Sequence, residues 1–302
     1  MNPSMTLSAL IAQSAQQLES AHTAGQLSFG HGTTNAADEA AWLVLWKLGL
    51  PLDTDVSDEM HNIELPATQV ASVQAFIDHR IASRQPAAYL TQEAWLQGVS
   101  FYIDERAIVP RSLIAEVLAE GTIDLWLDPR TSRVLDLCTG NGSLGILAAL
   151  AYPDITVQGV DLSQDALAVA QINIERHGLE GRMTLAESDG LAQADGVFDL
   201  ILCNPPYVNT QSMSELPAEF QAEPALALAG GADGMDFVRQ LLRDAPAHMS
   251  DHAVLVLEIG HERDYFEAAF PQLDVVWLST SAGDDQVLLL TRQAITEGAI
   301  SQ

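Results

Sequence analysis

A stiff turn of two prolines, Asn204-Pro205-Pro206-Tyr207, directly follows residues 198–203, an apolar run typical of a buried strand. Proline fixes its own φ, lacks an N–H group and keeps the residue before it out of the helical region, so Asn204 and Pro205 are predicted to be extended. The side-chain oxygen of Asn204 and the carbonyl of Pro205 can then converge on one NH₂ group, with Tyr207 as a flat apolar wall. An ordinary strand-ending turn is the alternative.

An amide or an exocyclic base amine is a poor nucleophile, because its lone pair is delocalised. Positioning, and hydrogen bonds that strengthen in the transition state, are then the main sources of rate, and no general base is required. The turn therefore predicts chemistry on an NH₂ group that is attached to a flat system.

A glycine-rich loop lies between a predicted strand, 133–138, and a predicted helix, 143–151. Gly140, Gly142 and Gly145 match the dinucleotide fingerprint G-x-G-x-x-G, which lets the backbone approach a ligand closely. Asp161 ends the next strand about twenty residues on and could accept hydrogen bonds from a ribose. Enzymes that use nicotinamide and enzymes that use S-adenosylmethionine (SAM) share these features, so the loop alone does not separate them.

Asp136, four residues before Gly140, favours SAM. A carboxylate there disfavours a pyrophosphate but could pair with the cationic methionine end of SAM, directly or through water. Asp189 could bind the adenine amino group, with the backbone of Gly190 beside the ring. The alternatives are that Asp136 caps the loop and that residues 187–191 form an ordinary turn.

The acidity of the chain bears on its partners. The net charge is −28 and Lys47 is the single lysine, so a broad nucleic-acid footprint is disfavoured and a basic protein partner is favoured. A solvated acidic surface suited to solubility or to a salty habitat is the other explanation.

The start of the chain lacks the pattern of a signal peptide, and its apolar runs are too short to span a bilayer. Cys138 and Cys203 lie in apolar runs, as reduced core residues do. We expect a cytoplasmic protein with no membrane contact and no metal, and a monomer or weak dimer.

Helical apolar spacing over residues 5–23, 35–50 and 66–86 predicts a small N-terminal domain, 1–86. Residues 87–106 show two alternating runs around Gly98 and are predicted to form a β-hairpin linker.

From residue 107 to 302 strands and helices alternate, which predicts a catalytic domain with a doubly wound, mostly parallel sheet of seven strands. The predicted strands are 133–138, 155–160, 182–187, 198–203, 252–259, 273–278 and 285–292, and the main helices are 143–151, 163–177 and 234–249. Only a short link joins the last two strands, so the last strand is predicted to be antiparallel. Ligands of such sheets bind at the carboxyl ends of the strands, where the tetrapeptide and the glycine loop should meet.

These motifs resemble the class I SAM-dependent methyltransferases that carry an Asn-Pro-Pro-Tyr motif. Within that group the chain is similar to the protein glutamine N5-methyltransferases, along nearly its whole length. The matching segments are "FGHGTTNAADEAAWLVL" (29–45), "PAAYLTQEAWLQGVSFYIDERAIVPRS" (86–112), "LDLCTGNGSLGI" (135–146), "CNPPYV" (203–208), "LPAEFQAEPALALAGGADGMDFVRQLL" (216–242) and "LEIGHE" (257–262). The first two point to the branch that methylates a glutamine of the third large-subunit ribosomal protein. Two segments, "VPRS" and "EIGHE", depart from the release-factor branch.

The resemblance implies a role for each motif. The loop residues Asp136, Leu137, Cys138, Thr139, Gly140 and Gly142 would hold the methionine part of SAM, and Asp161 would hold the ribose. Asn204, Pro205, Pro206 and Tyr207 would hold the glutamine amide, with Asn204 near the cofactor as well. Arg111 and Glu223 could shape a substrate channel, although a surface ion pair is as good an explanation of Arg111. His31 is interpreted as part of a structural glycine turn. The helical domain would recognise a basic ribosomal protein, without direct nucleic-acid binding.

Four other functions stay open at this point. The release-factor branch shares most of these motifs, and an adenine N6-methyltransferase would use the same tetrapeptide. A nicotinamide oxidoreductase would use Gly140, Gly142, Gly145 and Asp161 but leaves the tetrapeptide unexplained. A non-enzymatic assembly adaptor would have no use for Asn204. One structural expectation follows from the strand order of this family, namely that Cys138 and Cys203 are adjacent without forming a disulfide.

Overall fold

The computed structural model describes residues 5–56 and 62–300. Its α-helices are α1 Leu7–Thr23, α2 Ala36–Leu48, α3 Ala67–Ser83, α4 Ala87–Thr91, α5 Ile114–Ala119, α6 Ser143–Ala151, α7 Gln164–Arg176, α8 Thr210–Glu215, α9 Ala218–Gln221, α10 Asp236–Asp244, α11 Arg263–Ala269 and α12 Arg292–Ile300. Its strands are β1 Met5–Thr6, β2 Glu64–Leu65, β3 Glu93–Leu96, β4 Val99–Tyr102, β5 Arg133–Leu137, β6 Thr156–Asp161, β7 Met183–Glu187, β8 Phe198–Cys203, β9 Met249–Glu258, β10 Val276–Thr280 and β11 Gly283–Thr291. Single 3-10 turns are Asp124–Trp126, Ala225–Ala227 and Ala245–Ala247.

The chain divides into two compact units. The first consists of Met1–Glu93 together with Pro217–Ala222, and the second of Ala94–Leu216 and Glu223–Gln302. The short segment 217–222 therefore belongs to the helical unit, although it lies far along the sequence.

Helix ends in the first unit follow the local sequence. The Asn35 side chain accepts a hydrogen bond from the Asp38 N–H (2.9 Å), which caps the start of α2, and Gly49 ends it with a φ of +67°. Helix α1 begins at Leu7 rather than at residue 5, because Thr6 caps it and residues 5–6 pair with β2 instead. The helices bury a shared apolar core that includes the fully buried Leu10, Leu43 and Ile77.

A network of buried charges also holds the first unit together. Arg80 is only 1% exposed and donates from Nε to Glu39 (3.0 Å) and from Nη2 to the Ser28 carbonyl (3.0 Å). Glu219 is fully buried and accepts two hydrogen bonds from Arg84, from Nε to Oε1 (3.1 Å) and from Nη2 to Oε2 (2.7 Å). Segment 217–222 is thus fixed in this unit by charge-assisted bonds, which are the stronger kind.

The predicted hairpin is shorter than residues 87–106. Strands β3 and β4 pair on either side of Gln97 and Gly98, both of which have positive φ. Residues 87–91, which we assigned to the hairpin, instead form α4. Pro86 is the extended residue that precedes α4, and its carbonyl accepts the first helical hydrogen bonds, from the Tyr89 and Leu90 N–H groups.

The second unit is the predicted doubly wound sheet of seven strands, in the order β10-β11-β9-β8-β5-β6-β7. Strands β9, β8, β5, β6 and β7 run parallel to one another. Strand β11 is antiparallel to both β9 and β10, as predicted. Buried apolar side chains form one cluster on each face of the sheet, which is why its strands read as nearly continuous apolar runs.

Several predicted boundaries were wrong by a few residues. The helix predicted over 234–249 ends at Asp244, because Pro246 in the following turn cannot continue it, and β9 already begins at Met249. The strand predicted from residue 273 begins at Val276.

The expected neighbourhood of the two cysteines is confirmed. Leu137 pairs with Cys203 in the parallel β5–β8 ladder, so Cys138 follows directly beside it. Both thiols are free. A hydrogen bond to Cys203, together with burial, raises the pKa of the Cys138 thiol well above its ordinary value.

Among residues 5–56 and 62–300, no helix combines the length and apolarity needed to cross a membrane.

The buried ion pairs of the first unit give a stability prediction. In Arg80→Met, Glu39 stays buried and keeps its hydrogen bond from Thr33 but loses its arginine counter-charge. We expect the free energy of unfolding to fall by about 3–5 kcal/mol, the usual consequence of breaking a buried pair. Urea unfolding followed by circular dichroism measures the loss.

The control is Arg130→Met. Arg130 is 73% exposed and pairs with Asp128, so its removal should leave the unfolding midpoint unchanged. Equal effects of the two substitutions would contradict the assignment of Arg80 as a buried structural charge.

Candidate functional site

A cavity opens at the carboxyl ends of β5, β6, β7 and β8, within the second unit. Segment 106–112 and residues 224–227 close it from other sides. The predicted residues that line it are Arg111, Leu137, Cys138, Thr139, Gly140, Asp161, Asp189, Gly190, Asn204 and Pro206. Those that lie outside the lining are Asp136, Gly142, Pro205, Tyr207 and Glu223. The structure thus brings the glycine loop and the tetrapeptide to one cavity.

The loop after β5 takes its shape from three residues with left-handed backbone conformation, which alternate with residues of ordinary conformation. Cys138, Gly140 and Gly142 have φ values of +59°, +55° and +83°. Gly142 is the N-cap of α6, and a Cβ there would lie 3.2 Å from that of Ala170. At Gly145 a Cβ would lie 2.7 Å from the Met183 side chain, so glycine lets α6 pack directly on the sheet.

Asp136 lies behind the loop and is 1% exposed. Its Oδ2 accepts hydrogen bonds from the Thr139 hydroxyl and from the Gly145 N–H (2.8 Å). Its Oδ1 is buried and has no hydrogen-bond partner among the described residues. Burial raises the pKa of Asp136 to about 7, and the nearby Asp161 charge adds to this rise. Part of the carboxylate therefore caps the loop, while one oxygen is left to accept a donor.

Asp161 ends β6 and lines the cavity. Its two oxygens accept backbone N–H groups from Gly140 (2.9 Å) and Ser163 (2.9 Å). Each oxygen keeps a further lone pair, which suits a pair of hydroxyl groups. Burial raises the pKa of Asp161, and the backbone bonds oppose that rise.

Asp189 and Gly190 follow β7. Asp189 is exposed at the cavity, whereas Gly190 is buried with a φ of +57°. The preceding Ser188 fixes this turn, because its hydroxyl donates to the Gly190 carbonyl (2.7 Å) and accepts from the Gln193 N–H (2.9 Å).

Two asparagines that sequence reasoning missed tie segment 102–108 to the glycine loop. Asn141 donates to the Ile108 carbonyl (2.8 Å), and the fully buried Asn173 bonds both the Tyr102 backbone and the Asn141 carbonyl. A signal was available, since Asn173 falls on the apolar stripe that Val169 and Ala170 define on α7. A polar residue on such a stripe indicates a buried hydrogen-bonding task.

The tetrapeptide ends β8 at the same edge. Asn204 and Pro206 line the cavity, and Pro205 is buried. The Asn204 side chain makes no hydrogen bond to any described residue, so its amide is available to a ligand at the cavity wall.

Tyr207 is held by close packing. A Cβ at Gly260 would lie 2.5 Å from the Tyr207 ring, and Cβ atoms at Gly230 and Gly234 would lie 2.7 and 2.2 Å from its backbone. The Tyr207 hydroxyl donates to Glu258 (3.2 Å). Burial raises the pKa of Tyr207. The long segment that follows the tetrapeptide therefore supports Tyr207, because Gly230 and Gly234 let it pack against the Tyr207 backbone.

Arg111 and Glu223 form a bidentate ion pair, with both N–O distances at 2.7 Å. Glu223 also accepts the Val109 N–H (2.9 Å) and is buried, while Arg111 is partly exposed at the cavity. The pair joins the segment before the catalytic sheet to the segment that follows the tetrapeptide. The described residues contain no group of three or more acidic, histidine or cysteine side chains placed to hold a metal.

Asp136 gives a pH prediction. Its folded-state pKa of about 7 lies above its ordinary value of 3.8, so the bound proton favours the folded state. This stabilisation is fully present below about pH 4 and is lost as the pH rises through 7. Between these values the unfolding free energy of the wild type should fall relative to Asp136→Asn by up to about 1.4 kcal/mol per pH unit.

Urea unfolding of both proteins across this range, without added ligands, measures the difference. Parallel pH profiles would show that Asp136 does not hold a proton in the folded protein.

Comparison with known proteins now identifies the family. Residues 116–265 match the family described as "Methyltransferase small domain". The chain is 53% identical over 274 residues to the ribosomal protein uL3 glutamine methyltransferase of Bordetella pertussis, covering 90% of this chain and 91% of that protein. It is 51% identical over 274 residues to the protein of the same name from Burkholderia pseudomallei, covering 88% and 89%.

Among solved structures, the catalytic domain of hMettl16 in complex with MAT2A 3'UTR hairpin 6 is similar in fold. Its TM-score is 0.52 at 12% identity, with 78% of this chain and 86% of that chain covered. This likeness shows the methyltransferase fold alone. Because relatives of about 50% identity match nearly the whole length, the chain belongs to the family of ribosomal protein uL3 glutamine methyltransferases.

Proposed function

We propose that this protein transfers the methyl group of SAM to the side-chain amide nitrogen of a glutamine in ribosomal protein uL3. The observation that carries the proposal is the position of Asn204. Its amide lines the cavity without a partner among the described residues, and it follows a strand that is paired directly with the strand before the glycine loop. The relatives are named for this activity.

The residues at the cavity fit SAM. The partnerless Oδ1 of Asp136 suits the methionine ammonium, reached directly or through a water, and Asp161 keeps lone pairs for the ribose hydroxyls. Asp189 at the exposed edge is assigned to the adenine amine, beside Gly190. The backbone from Leu137 to Gly140 would hold the methionine part, and Gly142 would contribute by shaping the loop. When bound, SAM supplies an electrophilic methyl group.

The tetrapeptide positions the nucleophile. In this mechanism the Asn204 side-chain oxygen and the Pro205 carbonyl accept the two N–H groups of the glutamine amide. They hold the nitrogen in one orientation and increase its electron density, which matters because the amide lone pair is delocalised. The nitrogen gains the methyl group as the S–CH₃ bond of SAM breaks, which would leave S-adenosylhomocysteine as the product. The nitrogen then releases one proton to water, and no side chain with a shifted pKa is needed as a base.

Arg111 and Glu223 are assigned to the substrate channel. Their ion pair fixes the segment before Pro224, and Pro224 and Leu226 line the cavity. The helical unit is assigned to recognition of the protein substrate. A net charge of −28 suits a basic ribosomal protein, and it disfavours RNA or DNA as the substrate. Such a substrate is made and assembled in the cytoplasm, where we propose that the enzyme acts.

A direct assay tests the substrate. The protein is incubated with methyl-labelled SAM and unmodified uL3, and peptide mass spectrometry locates the label. We expect label on one glutamine amide of uL3, none after that glutamine is replaced by glutamate, and little on a peptide-chain release factor. Preferred labelling of the release factor would show that the protein is a release-factor glutamine methyltransferase instead. Labelled adenine in RNA or DNA would overturn the assignment to protein.

Asn204→Ala tests the mechanism. Loss of one acceptor should lower kcat on uL3 by about 100-fold or more, the size of effect seen when one transition-state hydrogen bond is removed. The Kd for SAM, measured by calorimetry, should change less than about threefold. Gln171→Ala serves as control, because the Gln171 side chain bonds only Glu175 on the exposed face of α7. Retained turnover in Asn204→Ala would remove this mechanism.

A further inference from the structure

A cluster of buried polar groups lies directly behind the cavity wall and was not predicted from the sequence. Its centre is Glu258, the last residue of β9, which is 4% exposed. One oxygen accepts the Tyr207 hydroxyl (3.2 Å), and the other accepts the Ser112 hydroxyl (2.5 Å) and the Leu113 N–H (2.9 Å). Glu258 thus binds two segments that are far apart in sequence.

Both of these segments reach the cavity. Tyr207 ends the tetrapeptide that contains Asn204, and Asn204, Ser112 and Arg111 all line the cavity. The register explains how one carboxylate serves both, because Cys203 at the end of β8 pairs with Leu257. The side chain of the next residue in β9 is therefore placed beside the turn that follows β8.

The contacts of Tyr207 show what this carboxylate adds. The backbone of Tyr207 packs against Gly230 and Gly234, and its ring packs against Gly260. Such packing limits the space around the side chain but does not fix the direction of its hydroxyl group. The hydrogen bond to Glu258 is directional, so it sets where the hydroxyl and the ring plane lie.

Stability alone does not account for a buried carboxylate at this place. Arg111, which precedes Ser112 in the chain, already pairs with Glu223, and burial raises the pKa of Glu258. Replacing buried ionic groups by apolar side chains of similar volume is often neutral or stabilising. An interior carboxylate that bonds two cavity segments is better explained by the geometry it maintains.

We propose that Glu258 is a positioning residue, which acts through Tyr207 and Ser112 to hold the tetrapeptide that carries Asn204 against segment 111–113 at the cavity. The reaction concerned is the methyl transfer proposed above, on which this inference rests. Glu258 does not contact the reacting atoms in this scheme. Its loss should therefore affect turnover far more than SAM binding.

The test uses Tyr207→Phe, Glu258→Ala and Glu258→Gln, with the Tyr207→Phe/Glu258→Ala double variant. We expect Glu258→Ala to lower kcat at least 30-fold and Tyr207→Phe about tenfold, with less than a threefold change in the SAM Kd. If the two act through one bond, the double variant should be no worse than Glu258→Ala. Glu258→Gln should recover part of the loss, because its amide can accept from Leu113 and donate to the Tyr207 oxygen.

Glu267→Ala is the matched control, since Glu267 is 52% exposed and pairs only with Arg263 within α11. It should retain wild-type kcat. Amide hydrogen exchange followed by mass spectrometry gives a readout that does not depend on activity, and segment 207–213 should exchange faster in Glu258→Ala than in the wild type.

These outcomes separate the two proposals. The wild type could fail to methylate a glutamine while Glu258→Ala still exchanges its amide hydrogens faster over 207–213. That result would contradict the proposed function but support the positioning role of Glu258. If the wild type is active and Glu258→Ala keeps its kcat or its slow exchange, the positioning role falls. Additive losses in the double variant would also overturn it.

Discussion

Parallel pairing between β5 and β8 is the constraint on which the rest of the site depends. Leu137 lies opposite Cys203, so the two strands end together and their following loops start side by side. One loop is rich in glycine and the other begins with Asn204. A shift of one residue in this register would send the side chains of one strand to the opposite face of the sheet, so residues that pack in one apolar cluster would have to fit into the other.

Several carboxylates that are shielded from water hold the loops of the site in place. Asp136, Asp161, Glu223 and Glu258 are all wholly or largely shielded from water, in a protein that already carries an excess of 28 negative charges. Each is compensated by donors that the fold brings close, mainly backbone N–H groups, with hydroxyl groups or an arginine in some cases. Their fixed positions tie loops to strand ends, and one oxygen of Asp136 is left over for a ligand.

Much of this organisation was predictable. Apolar runs of strand length alternate with amphipathic helices, and this pattern gave the doubly wound sheet and the antiparallel last strand. Boundaries were less certain where competing local signals met, as at residues 87–91, where Pro86 starts a helix within an aromatic-rich stretch. The glycine loop and the tetrapeptide were found because their chemistry is local, with glycine supplying positive φ and proline removing donors.

The sequence by itself determined the fold class, the SAM-type loop and the stiff turn, because each depends on residues that are close together in the chain. Only the tertiary structure decided that Asp136 lies behind its loop, that Arg111 pairs with Glu223, and that Glu258 joins Tyr207 to Ser112. The segments that carry these partners are separated by up to about 150 residues. Their contacts follow from strand register and burial, which no local spacing of residues encodes.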